Sequence, residues 1–391
     1  MIGSSRKYMK GDPVIWGVII LLAIFSILAV YSSTGTLAYK SQGGNTFYYI
    51  TKHSVFLLFG FMVIFITHNI PYKYFSRLSQ LFLIISIPLL LITLIYGETL
   101  NQATRWLELP VIGLKVQPSD FAKLAIVMYI ARLLSMKQNT IDDFYKTFLP
   151  IIGPVLIVCM LILPANLSTA LIVLSTSVIL MFIGRIKIKH LLLVALAGIL
   201  TISLFIVITI NSGTDNRVVT WQNRVEDFME GSGDNFQVEQ AKIAVATGGL
   251  VGKGPGNSTQ RNYLPHPYSD FIYAIIIEEY GLTGGIIVLF LYLYLLYRAG
   301  MLVKKSSRTF PAFLAIGLAL SLTFQAMINM AVAVNLLPVT GQTLPFVSMG
   351  GSSQLFTSVA LGIILSVSRG IRKNDEIEIE NSDEEETENI N

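Results

Sequence analysis

Ten apolar segments follow one another along the chain, and they constrain its fold more than any other feature. They cover approximately residues 14–31, 50–67, 79–97, 119–136, 147–163, 167–184, 191–210, 271–297, 310–332 and 346–368. Most of them reach the roughly 17–25 residues that a helix needs to cross a bilayer. The chain is 53% hydrophobic and 13% charged, with a mean hydropathy of +0.63, which excludes the soluble classes. We therefore predict an all-α polytopic membrane protein with about ten transmembrane helices.

The placement of Lys and Arg predicts the orientation of these helices. Basic residues concentrate in the short polar segments on the side of the N-terminus, and such residues stay on the cytoplasmic side. Both termini are therefore expected to be cytoplasmic, and the long polar segment 211–269 is expected to be extracytoplasmic. Apolar spacing over 236–247 predicts a helix within it. Residues 374–391 are strongly acidic and predict a disordered cytoplasmic tail after a membrane domain of residues 1–373.

Asp270 ends the polar segment and directly precedes the apolar run 271–297. A carboxylate at this boundary suits the N-cap of a helix or a general base at the bilayer surface. His266, four residues earlier, would either orient such a base or cap a turn. The Gly-rich segment 248–256 lacks the spacing of a phosphate loop, so no nucleotide is expected.

Two further polar segments lie beside apolar runs. Residues 101–123 contain Arg105-Trp106 and Gln117-Pro-Ser-Asp120, and residues 335–353 read Asn-Leu-Leu-Pro-Val-Thr-Gly-Gln-Thr-Leu-Pro-Phe-Val-Ser-Met-Gly-Gly-Ser-Ser. The chain resembles the SEDS family (shape, elongation, division and sporulation), the FtsW/RodA peptidoglycan glycosyltransferases. The resemblance rests on these two segments together with the residues around Asp270, Arg224, Ala246-Thr-Gly-Gly, Glu278-Glu279 and Gln325…Asn329. Gly-Gln-Thr-Leu-Pro-Phe and the compact length are most similar to the division member, FtsW. Two positions depart from the family pattern: Asp120 stands where Glu is frequent, and Asn166 replaces an Asp and is assigned no catalytic or metal role.

The resemblance implies polymerisation of lipid II into glycan strands at the outer face of the bacterial cytoplasmic membrane, at the division septum. It implies Asp270 as the general base. The substrate-binding candidates are Arg105, Trp106, Lys115, Asp120, Lys123, Ser348, Gly350 and Gly351, and the supporting candidates are Glu278, Glu279 and His266. Because the leaving group is a diphosphate anion, cations should meet it. Arg105, Lys115 and Lys123 are the candidates, with contact to lipid headgroups as the alternative.

Glu278 and Glu279 lie within the predicted span 271–297, where a carboxylate is costly unless it is paired or wetted. An arginine, a lysine or a divalent cation, Mg²⁺ or Mn²⁺, would serve as the partner. The resemblance also implies a class B penicillin-binding protein (a transpeptidase) and other divisome membrane proteins as partners, and no nucleic acid.

Three alternatives stay open at this point. The chain could be an elongation polymerase of the RodA type, a lipid II flippase or other transporter, or a scaffold without chemistry. Intramembrane acids and broken segments are transporter-like features. The polar motifs gather on one face of the membrane, however, whereas alternating access needs a site near the midplane. The sequence therefore favours the polymerase.

Overall fold

The computed structural model describes residues 10–35, 37, 43, 45–100, 103–109, 114–211, 224, 228–229 and 236–388. The helices in these ranges are α1 (Pro13–Ser33), α2 (Thr46–Asn69), α3 (Tyr72–Tyr96), α4 (Pro118–Met136), α5 (Leu149–Ile162), α6 (Leu167–Ile183), α7 (Ile188–Asn211), α8 (Phe236–Gly248), α9 (Ile272–Lys305), α10 (Thr309–Ala333) and α11 (Gly351–Glu388). A π-helical turn, Phe144–Phe148, precedes α5. Helices α4 and α10 lie at the centre of the bundle, because most of their residues are buried.

Each of the ten predicted apolar segments coincides with a helix. Helix α8 is the helix predicted within the polar segment 211–269, and we call the described part of that segment the outer segment. Seven of the described helices are long and apolar enough to cross a membrane, and α6 and α7 contain shorter apolar stretches. Helix α4 carries three charged residues, Asp120, Lys123 and Arg132, within its 19 residues. The prediction of an all-α multi-pass membrane protein is confirmed.

A small antiparallel sheet precedes α4, and the sequence did not predict it. Strands β1 (Glu98–Leu100), β2 (Ala103–Leu109) and β3 (Leu114–Val116) pair in the order β1-β2-β3. Strands this short carry too little periodicity to be distinguished from loop. The sheet holds the segment that contains Arg105 and Trp106 at the end of α3.

Helix α9 is broken at Gly281, whereas the sequence predicted one continuous span. Gly281 has φ +69° and ψ −174°, a conformation that only glycine adopts without strain. Residues 282–305 extend about 36 Å at 1.5 Å per residue, enough to span the bilayer alone. Residues 272–280 therefore form a separate short helix between that span and the polar segment that precedes α9.

The segment between α10 and α11 returns into the bundle without regular structure. The Tyr292 hydroxyl donates to the Pro345 carbonyl, and the Ser26 hydroxyl donates to the Val347 carbonyl at 2.8 Å. Leu344 is also buried. Irregular backbone is tolerated at membrane depth only where protein covers it, and here α1 and α9 supply hydrogen-bond donors. We call residues 335–350 the re-entrant segment.

Helix α11 continues through residues 374–388, where the sequence predicted a disordered tail. Glu has a high helix propensity, and the segment follows directly from a long helix, so no new nucleation is needed. The division of the chain at residue 373 stays a prediction.

Candidate active site

Asp270 lies two residues before the start of α9, and its side chain is partly exposed. Its Oδ1 accepts a hydrogen bond from the Ser269 hydroxyl at 2.9 Å. The N-cap position of α9 is Phe271, and no side chain caps the helix. The alternative that Asp270 is the N-cap is therefore wrong.

Hydrogen bonds from α10 and the re-entrant segment fix the main chain at Asp270. Asn329 Nδ2 donates to the Asp270 carbonyl at 2.8 Å. The Ser348 hydroxyl donates to the Ser269 carbonyl at 2.7 Å, and the N–H that follows Ser348 donates to the Tyr268 carbonyl at 2.9 Å. Asn329 and Ser348 are both buried. These bonds fix the position from which the carboxylate extends.

Three cationic or titratable side chains lie near enough to this carboxylate to lower its pKa. Burial raises the pKa of Asp270 above its ordinary value, whereas the Ser269 hydrogen bond and the charges of His266, Arg105 and Arg224 lower it. Burial is the largest of these effects. A carboxyl with a raised pKa is better matched to accepting a proton near neutral pH than an ordinary aspartate is.

Gly341 of the re-entrant segment lies between Arg105 and Asp270. A Cβ atom at this position would be 3.4 Å from Arg105 Nη1 and 3.8 Å from Asp270 Oδ2. The residue has φ +65°, which also favours glycine. The absence of a side chain leaves space between the guanidinium and the carboxylate.

Backbone carbonyls hold both arginines. Arg105 Nε donates to the Ala165 carbonyl at 2.9 Å, and Arg224 Nη1 donates to the Val339 carbonyl at 3.2 Å. A guanidinium has five N–H donors and can bind phosphate oxygens bidentately. Both side chains therefore have the chemistry that an anionic diphosphate requires.

Asp120 and Lys123 form a second, buried polar cluster within the bundle. Lys123 Nζ lies 2.7 Å from Asp120 Oδ1 and donates to Gln325 Oε1 at 2.6 Å. Gln325 Nε2 donates in turn to the Thr343 carbonyl of the re-entrant segment at 3.0 Å. These side chains and Ser353 line a cavity of about 30 Å³, which is room for a water molecule. Lys123 is thus paired with an acid, and its binding of diphosphate stays a prediction.

The remaining predicted residues lie in different surroundings. Trp106 is half-buried on β2 opposite Glu98, and Lys115 is exposed on β3 opposite Glu108. Gly351 begins α11 and Gly350 precedes it. An added Cβ atom would meet ordinary contacts at Gly350 and no described atom within 4 Å at Gly351. The structure thus gathers Arg105, His266 and Ser348 around Asp270, keeps Asp120 and Lys123 in their own cluster, and turns Glu278 and Glu279 toward the outer segment.

Comparison with known proteins places this arrangement in a family. A family model described as "Cell cycle protein", which represents FtsW, RodA and SpoVE, matches residues 12–373. The chain belongs to the FtsW/RodA/SpoVE family. It is 33% identical to Stage V sporulation protein E of Bacillus subtilis over 371 residues, covering 93% of this chain and 99% of the relative.

A second relative and a solved structure carry more specific names. The chain is 31% identical to a probable peptidoglycan glycosyltransferase FtsW of Trichlorobacter lovleyi, over 92% of this chain and 94% of that protein. It also matches a chain from the structure described as "Structural coordination of polymerization and crosslinking by a peptidoglycan synthase complex". That match has a TM-score of 0.68 and 25% identity, and covers 92% of this chain and 98% of the other.

Sequence reasoning did not assign a site role to three residues that the structure places beside Asp270. Arg224, Asn329 and Gly341 were noticed only as parts of motifs shared with the FtsW/RodA/SpoVE family. Asn329 carried a usable signal, because an amide inside an apolar helix needs polar partners. Arg224 carried no such signal, because an arginine in a polar outer segment is ordinary.

Proposed function

We infer that this chain is a peptidoglycan glycosyltransferase that polymerises lipid II into glycan strands. The observation that carries the inference is a partly buried carboxylate, Asp270, which lies with Arg105 and Arg224 where α9 begins at one end of the helix bundle. Names of relatives in the FtsW/RodA/SpoVE family support the same class of reaction. A scaffold without chemistry would leave this arrangement of charges without a use.

The proposed reaction needs a base and a receiver for negative charge. Asp270 takes the proton from the C4 hydroxyl of the acceptor sugar as that oxygen attacks the anomeric carbon of the donor. The bond from the anomeric carbon to the lipid diphosphate breaks, and the diphosphate leaves with the bonding electron pair. Arg105 and Arg224 stabilise the charge that develops on the leaving group. Both substrates are lipid-linked, so the reaction is placed at the membrane surface.

The orientation, location and partner are parts of the same proposal. Both termini are cytoplasmic and the outer segment is extracytoplasmic, because basic residues concentrate on the opposite side. The protein acts at the division septum, which the relative named FtsW supports. Its partner is a class B penicillin-binding protein that cross-links the strand. The peptidoglycan synthase complex among the similar structures supports this pairing.

We derive no step through a divalent cation. Both oxygens of Glu278 already accept hydrogen bonds, among them one from Lys253 Nζ at 2.6 Å. Among the described residues no group of three or more His, Cys, Asp and Glu side chains comes together, whereas a protein-built Mg²⁺ or Ca²⁺ site draws on several oxygen ligands. A lysine was one of the partners that the sequence analysis expected for Glu278, and Lys253 is that partner in the structure.

Purified protein and fluorescent lipid II test the polymerase assignment directly. We expect glycan product from the wild type and a loss of about 100-fold or more in Asp270→Asn, since general-base catalysis contributes about 10²–10⁴-fold. The thermal melting of the two proteins in detergent should be similar. A folded Asp270→Asn enzyme that polymerises at the wild-type rate contradicts the base. Transbilayer movement of lipid II in vesicles without any polymer would instead favour the transporter.

A further inference from the structure

Glu278 joins the short helix 272–280 to the outer segment through an unusually complete set of donors. Its Oε1 accepts from Lys253 Nζ at 2.6 Å, from the Thr259 hydroxyl at 2.8 Å and from the Thr259 N–H at 3.1 Å. Its Oε2 accepts from the Ser258 hydroxyl and from the Gln260 N–H at 3.2 Å. The Glu278 side chain is 0% exposed. Carboxylates that are buried in this way hold their partners strongly, because each bond is charge-assisted.

Glu279 extends the same connection to the outer end of α1. It accepts from the Ser32 hydroxyl and from the Ser258 N–H at 3.1 Å. Arg261 Nη1 donates to both the carbonyl and the hydroxyl oxygen of Ser32, at 3.2 and 3.1 Å. The outer segment, α1 and the short helix 272–280 therefore meet at these two acids. We call Glu278 and Glu279, with residues 253–261, the anchor.

Backbone hydrogen bonds beside the anchor strengthen the connection between the outer segment and helix 272–280. The N–H groups of Lys253 and Gly254 donate to the carbonyls of Glu278 and Glu279, at 3.0 and 2.9 Å. At Gly281 an added Cβ atom would lie 2.2 Å from the Leu250 carbonyl oxygen, so the two backbones are in direct contact. The break in α9 thus exists where the outer segment packs against the helix.

The anchor lies at one end of the short helix 272–280, and Asp270 lies just before its other end. Residues 271–279 are all buried, and Asp270 directly precedes them. We propose that Glu278 and Glu279 are positioning residues of the polymerase, which fix the outer segment and helix 272–280 so that the Asp270 carboxylate faces Arg105 and Arg224. The proposal rests on the proposed function of Asp270. Neither glutamate touches the reacting atoms in this proposal.

A positioning role predicts more than lost stability when the anchor is broken. In Glu278→Gln one oxygen becomes an NH₂ group that faces donors, and Lys253 loses its charge partner. A displacement of the base by about 1 Å costs up to about 100-fold, so we expect kcat to fall at least about tenfold with little change in KM. The acid limb of the pH profile should also move, because Asp270 would sit differently against His266, Arg105 and Arg224. A role confined to stability would lower the melting temperature and leave kcat and the acid limb unchanged.

Kinetics and a distance measurement that needs no activity together test the positioning role. Variants Glu278→Gln, the milder Thr259→Val and the matched control Glu239→Gln, an exposed acid on α8, are compared below their melting temperatures. Lipid II turnover gives kcat, KM and the pH profile. In a Cys159→Ala background, spin labels at Tyr263 and Leu336, which are 57% and 70% exposed, report the distance between the outer segment and the segment after α10.

The proposal expects a broadened or shifted distance and a lower kcat in Glu278→Gln, a smaller change of the same kind in Thr259→Val, and wild-type behaviour in Glu239→Gln. An unchanged distance in folded Glu278→Gln overturns the positioning role, and so does an unchanged kcat in a wild-type enzyme that polymerises. A changed distance together with a wild type that makes no polymer overturns the proposed function instead. The two failures are therefore distinguishable.

Discussion

Replacing Gly341 by alanine tests whether the space between Arg105 and Asp270 is where the reaction occurs. The added methyl group would lie 3.4 Å from Arg105 Nη1, a tight contact, and 3.8 Å from Asp270 Oδ2, an ordinary one. The positive φ of +65° costs alanine roughly 1–2 kcal/mol. That loss is smaller than the roughly 5–15 kcal/mol that stabilises a typical domain, so the variant should fold.

The expected kinetic effect is larger than the effect on stability. A methyl group in this space shifts either the guanidinium or the sugar hydroxyl, and a misplacement of about 1 Å costs up to about 100-fold in rate. We therefore expect Gly341→Ala to lose about 10- to 100-fold in lipid II turnover, with a modest decrease in melting temperature. Turnover is measured with fluorescent lipid II, and folding is followed by thermal melting in detergent.

A second glycine with positive φ provides a control that distinguishes backbone strain from the steric effect of the added methyl group. Gly43 has a similar φ of +58°, and no atom of the residues that the structure describes lies within 4 Å of its added Cβ. Gly43→Ala should therefore carry the strain alone and keep its turnover. If folded Gly341→Ala turns over lipid II at the wild-type rate, the space between the guanidinium and the carboxylate is not the reaction site.

Three further predictions concern charge. Arg224→Gln removes a charge that lowers the pKa of Asp270, so this pKa should rise further. Because the base must be deprotonated, the acid limb of the pH profile of kcat/KM should move to higher pH. An acid limb at the wild-type position would contradict an effect of Arg224 on Asp270. Arg105→Lys keeps the charge but loses the planar donors, so lipid II turnover should fall about tenfold. Wild-type turnover by Arg105→Ala would show that Arg105 is not part of the active site. Lys123→Met leaves Asp120 buried without its cation, which costs about 3–5 kcal/mol; melting temperature should fall sharply, and Asp120→Asn in the same chain should recover most of the loss.

The helices were predictable from the sequence because the bilayer sets their length and composition. Each long apolar run was expected to become a helix, since only a helix satisfies the backbone hydrogen bonds of a single segment in lipid without a partner strand. Asp270 was selected from the sequence because a carboxylate stands at a membrane boundary within a recognisable set of motifs, and its role as the general base stays a prediction. The same reasoning correctly expected a charged or metal partner for Glu278 but could not choose Lys253, which is 25 residues away.

The features that the sequence did not predict depend on contacts between distant segments. The break at Gly281 follows from the outer segment packing on α9, and the sequence of a glycine inside an apolar run does not by itself indicate a break. The roles of Arg224 and Asn329 follow from their meeting Asp270, and Asn329 lies 59 residues away. The small sheet before α4 was missed because its strands are too short to show a period.

The bond between Ser26 and the re-entrant segment has a consequence for biogenesis. Ser26 lies on the first helix, and its hydroxyl donates to a carbonyl 321 residues later. Chains are synthesised at about 5–20 residues per second, so this partner emerges roughly 15–65 s after α1. During that interval α1 waits in the membrane with the Ser26 hydroxyl lacking its final partner. The segment that completes the site is thus among the last parts made, and a chain cut short before residue 350 would insert most of its helices yet leave the site unbuilt.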